Sequence, residues 1–285
     1  MLKEKVSCQA IVREAASRFF EVPFFSKCLI IIFSCLCLYS QSSYGQKQKS
    51  TLSQVWLGYS NQTRLSDRWG FWADAQLRTK DNFFDKVSQS LTSLGLTYYA
   101  KDDVRFTAAF GYVNHFPADN NINISQPELR PWQQLQWFTK YPKLRLMQWI
   151  RLEERYRRKI LNADELADGY LFNFRIRYNI FATFPLSKKR FEPGTLSFVT
   201  GNEIQINFGK QIVYNYFDQN RFFVGFAYHV NKHDNLQFGY MNVFQQLSGG
   251  NKYRTTHVAR AIYFHNVDLR KKKEKKPTES VGGGE

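Results

Sequence analysis

Beyond Gly45 the chain alternates apolar and polar positions with a period of two. Phe71, Ala73, Ala75 and Leu77 alternate with Trp72, Asp74, Gln76 and Arg78, and Phe106, Ala108, Phe110 and Tyr112 with Arg105, Thr107, Ala109 and Gly111. The clearest run sets Phe172, Phe174, Ile176, Tyr178 and Ile180 against Asn173, Arg175, Arg177 and Asn179. Successive side chains of a strand point to opposite faces, so each run predicts a strand with one apolar and one polar face. Eleven such segments lie near 53–61, 68–78, 87–100, 103–115, 127–139, 144–157, 169–183, 195–208, 219–231, 234–246 and 254–266. Most run about ten to fourteen residues, where a soluble strand has about five or six and a tilted membrane strand needs about nine to eleven. Length therefore predicts an all-β fold, an antiparallel transmembrane β-barrel. No segment after Gly45 approaches the run of about eighteen apolar residues that predicts a membrane helix.

The connections support the same fold. Lys101-Asp102-Asp103, Tyr141-Pro142-Lys143 and Lys232-His233-Asp234 are tight, whereas those near 79–87, 116–126, 158–168, 209–218 and 247–253 are longer. Short periplasmic turns facing longer external loops are the outer-membrane arrangement. The connection near 184–194 is long where a turn is expected. Bacterial barrels have even strand numbers, so eleven segments predict twelve strands, with the missing one close to Gln46–Ser53, or ten as the alternative. All six Trp (Trp56, Trp69, Trp72, Trp132, Trp137, Trp149) fall in strands or at their ends, which predicts aromatic girdles at the membrane–water interfaces. The competing fold is a soluble β-sandwich with these rings in its core.

The amino terminus reads as an export signal. Cys28 to Leu38 is apolar but for Ser34, follows Lys27, and is followed by Ser43-Tyr44-Gly45, a small-x-small exit. That predicts a signal peptide over 1–45, a barrel over 46–268 and a basic, unfolded tail over 269–285, where Arg270 to Lys276 reads RKKKEKK. Glu4, Glu14 and Glu21 before Lys27 suggest a true start codon downstream of Met1. All four cysteines (Cys8, Cys28, Cys35, Cys37) lie in the predicted signal, so the exported chain is expected to carry no thiol, disulfide or Cys-based metal site. The 43% hydrophobic content excludes a disordered chain.

Polar faces carry the candidate chemistry. Glu128, Arg130, Gln134 and Gln136, with Trp132 among them, share one side of a strand; Arg151, Glu153 and Arg155 share a side of the next. Arg175 and Arg177 continue the series, followed by Glu203, Gln205 and Asn207, then by Arg221. With the apolar faces against lipid, these positions are expected to line the lumen, paired by charge-assisted hydrogen bonds. Two roles compete: a cationic lumen that prefers anions, and a salt-bridged plug of a narrow barrel, which barrel size favours because open channels belong to about sixteen strands or more. No catalytic elbow, zinc motif or phosphate loop occurs, and no cofactor or metal site is expected. His229 and His233 have ligand-like spacing without the further ligands that zinc needs. The net charge of +16 comes with no nucleic-acid-binding motif, so the expected counter-charges are outer-membrane lipid and lipopolysaccharide rather than nucleic acid.

Glu128-x-Arg130-x-Trp132-Gln133-Gln134, Ile150-Arg151-Leu152-Glu153-Glu154-Arg155, Phe174-Arg175-Ile176-Arg177-Tyr178 and Asp218-Gln219-Asn220-Arg221 occur in this order, with glycine–tyrosine pairs ending strands at Gly111-Tyr112 and Gly239-Tyr240. In these motifs the chain resembles the exported bacterial family catalogued as domain of unknown function 2490, over roughly Gln54 to Phe264. The resemblance implies an outer-membrane barrel in a Gram-negative bacterium, inserted by the outer-membrane assembly machinery, with no established activity and no catalytic residues to transfer. The expected function is a structural barrel or narrow anion-preferring pore. Its alternatives are an outer-membrane lipid-acting enzyme, or a soluble periplasmic β-protein that binds an apolar ligand. Oligomeric state is left open.

Overall fold

The computed structural model describes residues 47–117 and 122–270. The predicted signal peptide, the four cysteines and the tail beyond Arg270 lie outside the described residues. Eleven strands follow one another: β1 (Gln48–Arg64), β2 (Trp69–Thr79), β3 (Val87–Tyr99), β4 (Val104–His115), β5 (Gln126–Tyr141), β6 (Leu144–Ile160), β7 (Leu166–Pro185), β8 (Leu196–Phe208), β9 (Phe217–His229), β10 (Asp234–Gln246) and β11 (Lys252–Asp268). Each sequential pair is antiparallel, and β1 closes the sheet against β11 in parallel, from Gln48↔Lys252 to Arg64↔Asp268. The barrel is therefore odd-stranded. No twelfth strand is found among the described residues, because the stretch at Gln48–Ser53 is the beginning of β1 itself.

Register fixes the girth. Stepping between paired residues from Arg64 leads through Gly70, Thr97, Thr107, Gln134, Arg151, Arg177, Gln205, Gln219, Gln245 and Arg254 to Ser50, again on β1. The circuit slips by about 14 residues, which for eleven strands at ordinary rise and spacing gives a tilt of roughly 40° and a backbone radius of about 11 Å. All but Gly70 of the residues on that circuit are polar.

The alternation sorts the side chains in the sense opposite to a soluble protein. Leu94 and Leu96 are 70% and 64% exposed, and Phe71, Leu77, Phe106, Phe110, Ile176 and Phe222 join them on the outer face. The opposite face buries Glu128, Glu153 and Gln205 completely. The Trp residues divide differently from the girdle expectation. Trp56, Trp132 and Trp149 are buried and, with Trp72, line the interior, whereas Trp69, beside Tyr98, and Trp137 face outward among Phe, Tyr and Leu. The reason is chemical: an indole face accepts a guanidinium and its N–H needs an acceptor, both of which the interior supplies. Trp56 Nε1 donates to Gln54 at 2.9 Å and Trp72 Nε1 to Asp74 at 2.7 Å.

Two further details differ from the sequence reading. Gly111 and Gly239 lie inside β4 and β10 rather than at strand ends. The long connection between β7 and β8 is a folded cap, with Thr195 Oγ1 donating to Arg190 O at 2.7 Å and Glu192 O at 2.6 Å. It delivers Phe191 to the interior, 3.6 Å under the Arg145 guanidinium and edge-on to His229.

Candidate functional site

The interior holds a cavity of about 1450 Å³ whose lining includes Asn215 and Gln126 near the long-loop end and Arg105, Arg145 and Asn235 near the short-turn end. Inward positions of β5 to β9 fill one side of it with an ion-pair network. Each carboxylate there serves several arginines.

Glu128 accepts from Arg130 (2.6 Å), from Arg155 through both oxygens (2.8 and 3.0 Å), from Arg157 (3.1 Å), and contacts His115 Nε2 at 2.9 Å. Glu153 accepts from Arg175 and Arg177, both at 2.5 Å, with Arg130 and Arg151 at 4.0 and 3.9 Å. Glu203 accepts from Arg177 at 2.5 Å and lies 3.7 Å from Arg221. Asp218 takes the remaining arm of Arg175 at 2.7 Å. A planar guanidinium can bridge two carboxylates on neighbouring strands, as Arg175 and Arg177 do here. Arg151 differs, since it donates only to Gln134 (2.7 and 2.9 Å) and stacks 3.8 Å over Trp132.

Geometry thus brings Glu128, Arg130, Arg155, Glu153, Arg175, Arg177, Glu203 and Arg221 into one connected network, with Arg151 at its margin. Asp218, Arg157 and His115 also belong to it and were not singled out as lumen residues. Arg157 had a signal, since it shares strand parity with Arg155; Asp218 is out of parity with Arg221 and is turned inward by the register shift at the start of β9, and His115 lies on β4, where no candidate was named. The cation excess is large. Twelve arginines and Lys80 line the cavity against six carboxylates, with Glu128 a seventh in the wall.

The other side of the interior is apolar. Trp56, Val199, Phe223, Met241, Val243 and Val258 form a buried cluster contributed by β1 and β8 to β11, with Phe181 packed against it. The period-two alternation concealed this, because on β10 and β11 apolar residues occupy both faces. Gly225 makes room for the cluster: a Cβ there would come within 2.8 Å of Phe223 Cζ.

The histidines at 229 and 233, both at the short-turn end, have separate partners. His229 Nε2 lies 2.9 Å from Ser197 Oγ, and His233 Nδ1 is 3.1 Å from Asn266 O. Ser197 is fully buried, whereas His229 lines the cavity. Among the described residues no group of three or more metal-ligating side chains converges.

No curated protein matches the chain. The family model described as "Protein of unknown function (DUF2490)" matches residues 53–254, which covers most of the barrel and every member of the ion-pair network. The chain belongs to that family.

Proposed function

We propose that this protein is an outer-membrane β-barrel whose interior is a narrow, anion-preferring passage, constricted by its own arginine–carboxylate network. One observation carries the membrane assignment: the outer face exposes large apolar side chains while the inner face buries charges. A soluble barrel hides its apolar residues, and a monomer in water rarely shows a contiguous apolar belt. A strand tilt of roughly 40° also fits membrane barrels. Exposed Lys86, Lys159 and Lys210 at the long-loop end have lipopolysaccharide phosphates as their natural counter-charge. Insertion then falls to the outer-membrane assembly machinery.

Passage is favoured over a sealed plug because the cavity is lined by residues from both ends of the barrel. Anion preference follows from the cation excess in a low-dielectric wall. The test is single-channel recording of the detergent-refolded barrel in a planar bilayer under a salt gradient. Discrete steps with a reversal potential toward the chloride equilibrium value support the proposal. Cation-selective steps, or stable insertion without steps, refute the passage. Release with the soluble periplasm refutes the membrane assignment.

A further inference from the structure

Most interior arginines are neutralised by the carboxylates of β5, β6, β8 and β9. Among the described residues Arg78, Arg105, Arg145, Arg254 and Arg260 have no carboxylate within 4.0 Å, and of these Arg78 and Arg260 border the apolar cluster together with Arg221, whose nearest carboxylate is 3.7 Å away. Arg78 and Arg260 are the cross-strand neighbours of Trp56 on its two sides, through Trp56↔Arg78 and Trp56↔Arg260. The Arg78 guanidinium lies 3.8 Å over the Trp56 ring, and that of Arg221 approaches the same ring at 5.1 Å. The Arg260 guanidinium sits 4.8 Å over Phe223.

Their hydrogen bonds are to neutral groups. Arg78 donates to Gln89 at 3.0 Å and Gln76 at 3.4 Å, and its buried Nε has no acceptor. Arg260 donates to Gln237. Arg221 donates to Gln219 at 2.9 Å, and its nearest carboxylate, Glu203 at 3.7 Å, is already bound by Arg177. Arg78 and Arg260 are buried cations without a counter-ion, Arg221 shares its carboxylate with Arg177, and three guanidiniums around one indole and one phenyl ring repel each other. A small inorganic anion would satisfy the charge and leave the neighbouring apolar wall wet. A neutral apolar molecule would do the converse.

We infer that the lumen holds a binding site for a single-tailed amphiphile with one anionic head, the head seated among Arg78, Arg221 and Arg260 and the tail along Trp56, Phe223 and Met241. A carboxylate or a phosphate monoester offers the same paired oxygens to a guanidinium fork, so the head is defined by charge and geometry. The cavity of about 1450 Å³ exceeds the roughly 300–1,000 Å³ of ordinary ligand pockets, so the network and the ligand fit together. The inference rests on the barrel interior being open to solutes, and it names an anionic amphiphile as the solute class.

The experiment is equilibrium binding to the folded full-length barrel in a neutral amphipathic polymer, read by quenching of tryptophan emission and by calorimetry. The probes are decanoate, decyl phosphate, decanol and acetate. Decanoate and decyl phosphate should bind at least about tenfold more tightly than either decanol or acetate, and Arg78→Gln and Arg260→Gln should each cost decanoate about tenfold while leaving decanol unchanged. Tighter binding of one head over the other assigns the source as carboxylate or phosphate. Acetate as tight as decanoate overturns the site in favour of a small-anion filter. Decanol as tight as decanoate removes the arginines from it, as does unchanged affinity in both variants. Folding of each variant is checked by heat-dependent gel mobility. The assay needs no bilayer, so chloride conductance without decanoate binding sinks this inference alone, and binding without conductance sinks only the passage.

Discussion

Sharing of carboxylates predicts an unequal cost for two substitutions that look equivalent in sequence. Glu128 and Glu153 are both fully buried and both bind at least two arginines at short range. Neutralising Glu153 with Gln leaves Arg175 its contact to Asp218 at 2.7 Å and Arg177 its contact to Glu203 at 2.5 Å. Neutralising Glu128 leaves Arg155 with no other carboxylate within 4.0 Å among the described residues, and Arg130 with Glu153 at 4.0 Å only. Stripping a buried charge of its partner costs about 3–5 kcal/mol, whereas losing one of two charge-assisted hydrogen bonds costs about 1.5–3 kcal/mol. Glu128→Gln should therefore destabilise the barrel by about 2 kcal/mol more than Glu153→Gln. Denaturant titration of the refolded barrel, followed by tryptophan emission and run in both directions, measures the difference. Combining Glu128→Gln with Arg155→Met should recover part of the loss, since the stranded cation goes with its partner. A Glu153→Gln variant as unstable as Glu128→Gln, or a double variant worse than the sum of its parts, would refute the reasoning.

On the outer face, Leu94→Arg should cost about 2–4 kcal/mol in a bilayer, as a charge at lipid depth does, against less than about 0.5 kcal/mol on a water-exposed surface. Equal stability of wild type and variant in lipid vesicles would place Leu94 in water. In the turn between β3 and β4, Arg64 donates to Asp102 at 2.6 Å and holds its carboxyl below the usual value of 3.8. A carboxyl whose pKa is depressed by folding stabilises above its unfolded pKa and ceases to as pH falls through the folded one. The Asp102→Asn variant should therefore be less stable than wild type near neutrality and match it in acid below 3.8; a gap that persists unchanged in strong acid would count against the pair. Finally, parallel closure puts the starts of β1 and the end of β11 at opposite mouths, so Lys49→Cys and Asp268→Cys should react with a membrane-impermeant maleimide from opposite sides. Labelling of both from one side would require an even strand count.

Much of the fold was legible because a strand's period of two coincides with the boundary between outside and inside. Each of the eleven alternating segments is a strand, and Phe174, Ile176 and Tyr178 part from Arg175 and Arg177 as the period demands. Strand ends were less legible. β1 begins at Gln48, because Gln48–Ser53 pairs with β11 on one edge without an apolar alternation to mark it. The ion-pair network was legible in membership but not in connection: sequence placed Glu153 and Arg175 on polar faces, and register made them direct neighbours at Glu153↔Arg175. Four of the six Trp misled, since hydropathy alone assigns them to an interface and cannot register that an arginine on the next strand makes the interior the better place, whereas Trp69 and Trp137 do face outward. The apolar half of the lumen was hidden for a related reason. Met241 and Val258 face inward between outward-facing Tyr240 and His257, and a run apolar on both sides looks like a strand with no polar face at all.

The divided interior bears on the way an odd barrel closes. The seam between β1 and β11 is parallel, a pairing slightly weaker per residue than an antiparallel one, and it joins the two strands most distant in sequence. Such a pairing forms late, after the loop-closure entropy of the whole chain has been met. Packing by Trp56, Val258 and Ile262 on its inner side suits that step, because apolar contact is non-directional and tolerates imperfect register during docking. Ion pairs as short as those of Glu153 do not, and they lie on β5 to β9, between strands joined by local hairpins whose register is set early. Arg78 and Arg260 flank the seam without a carboxylate between them. A carboxylate at Trp56 would neutralise both, yet it would replace the side chain that packs the seam, so stability at the closure and charge balance in the lumen cannot both be met by that one position. The uncompensated cations are what remains when closure takes precedence, and they leave the lumen a charge that a solute can use.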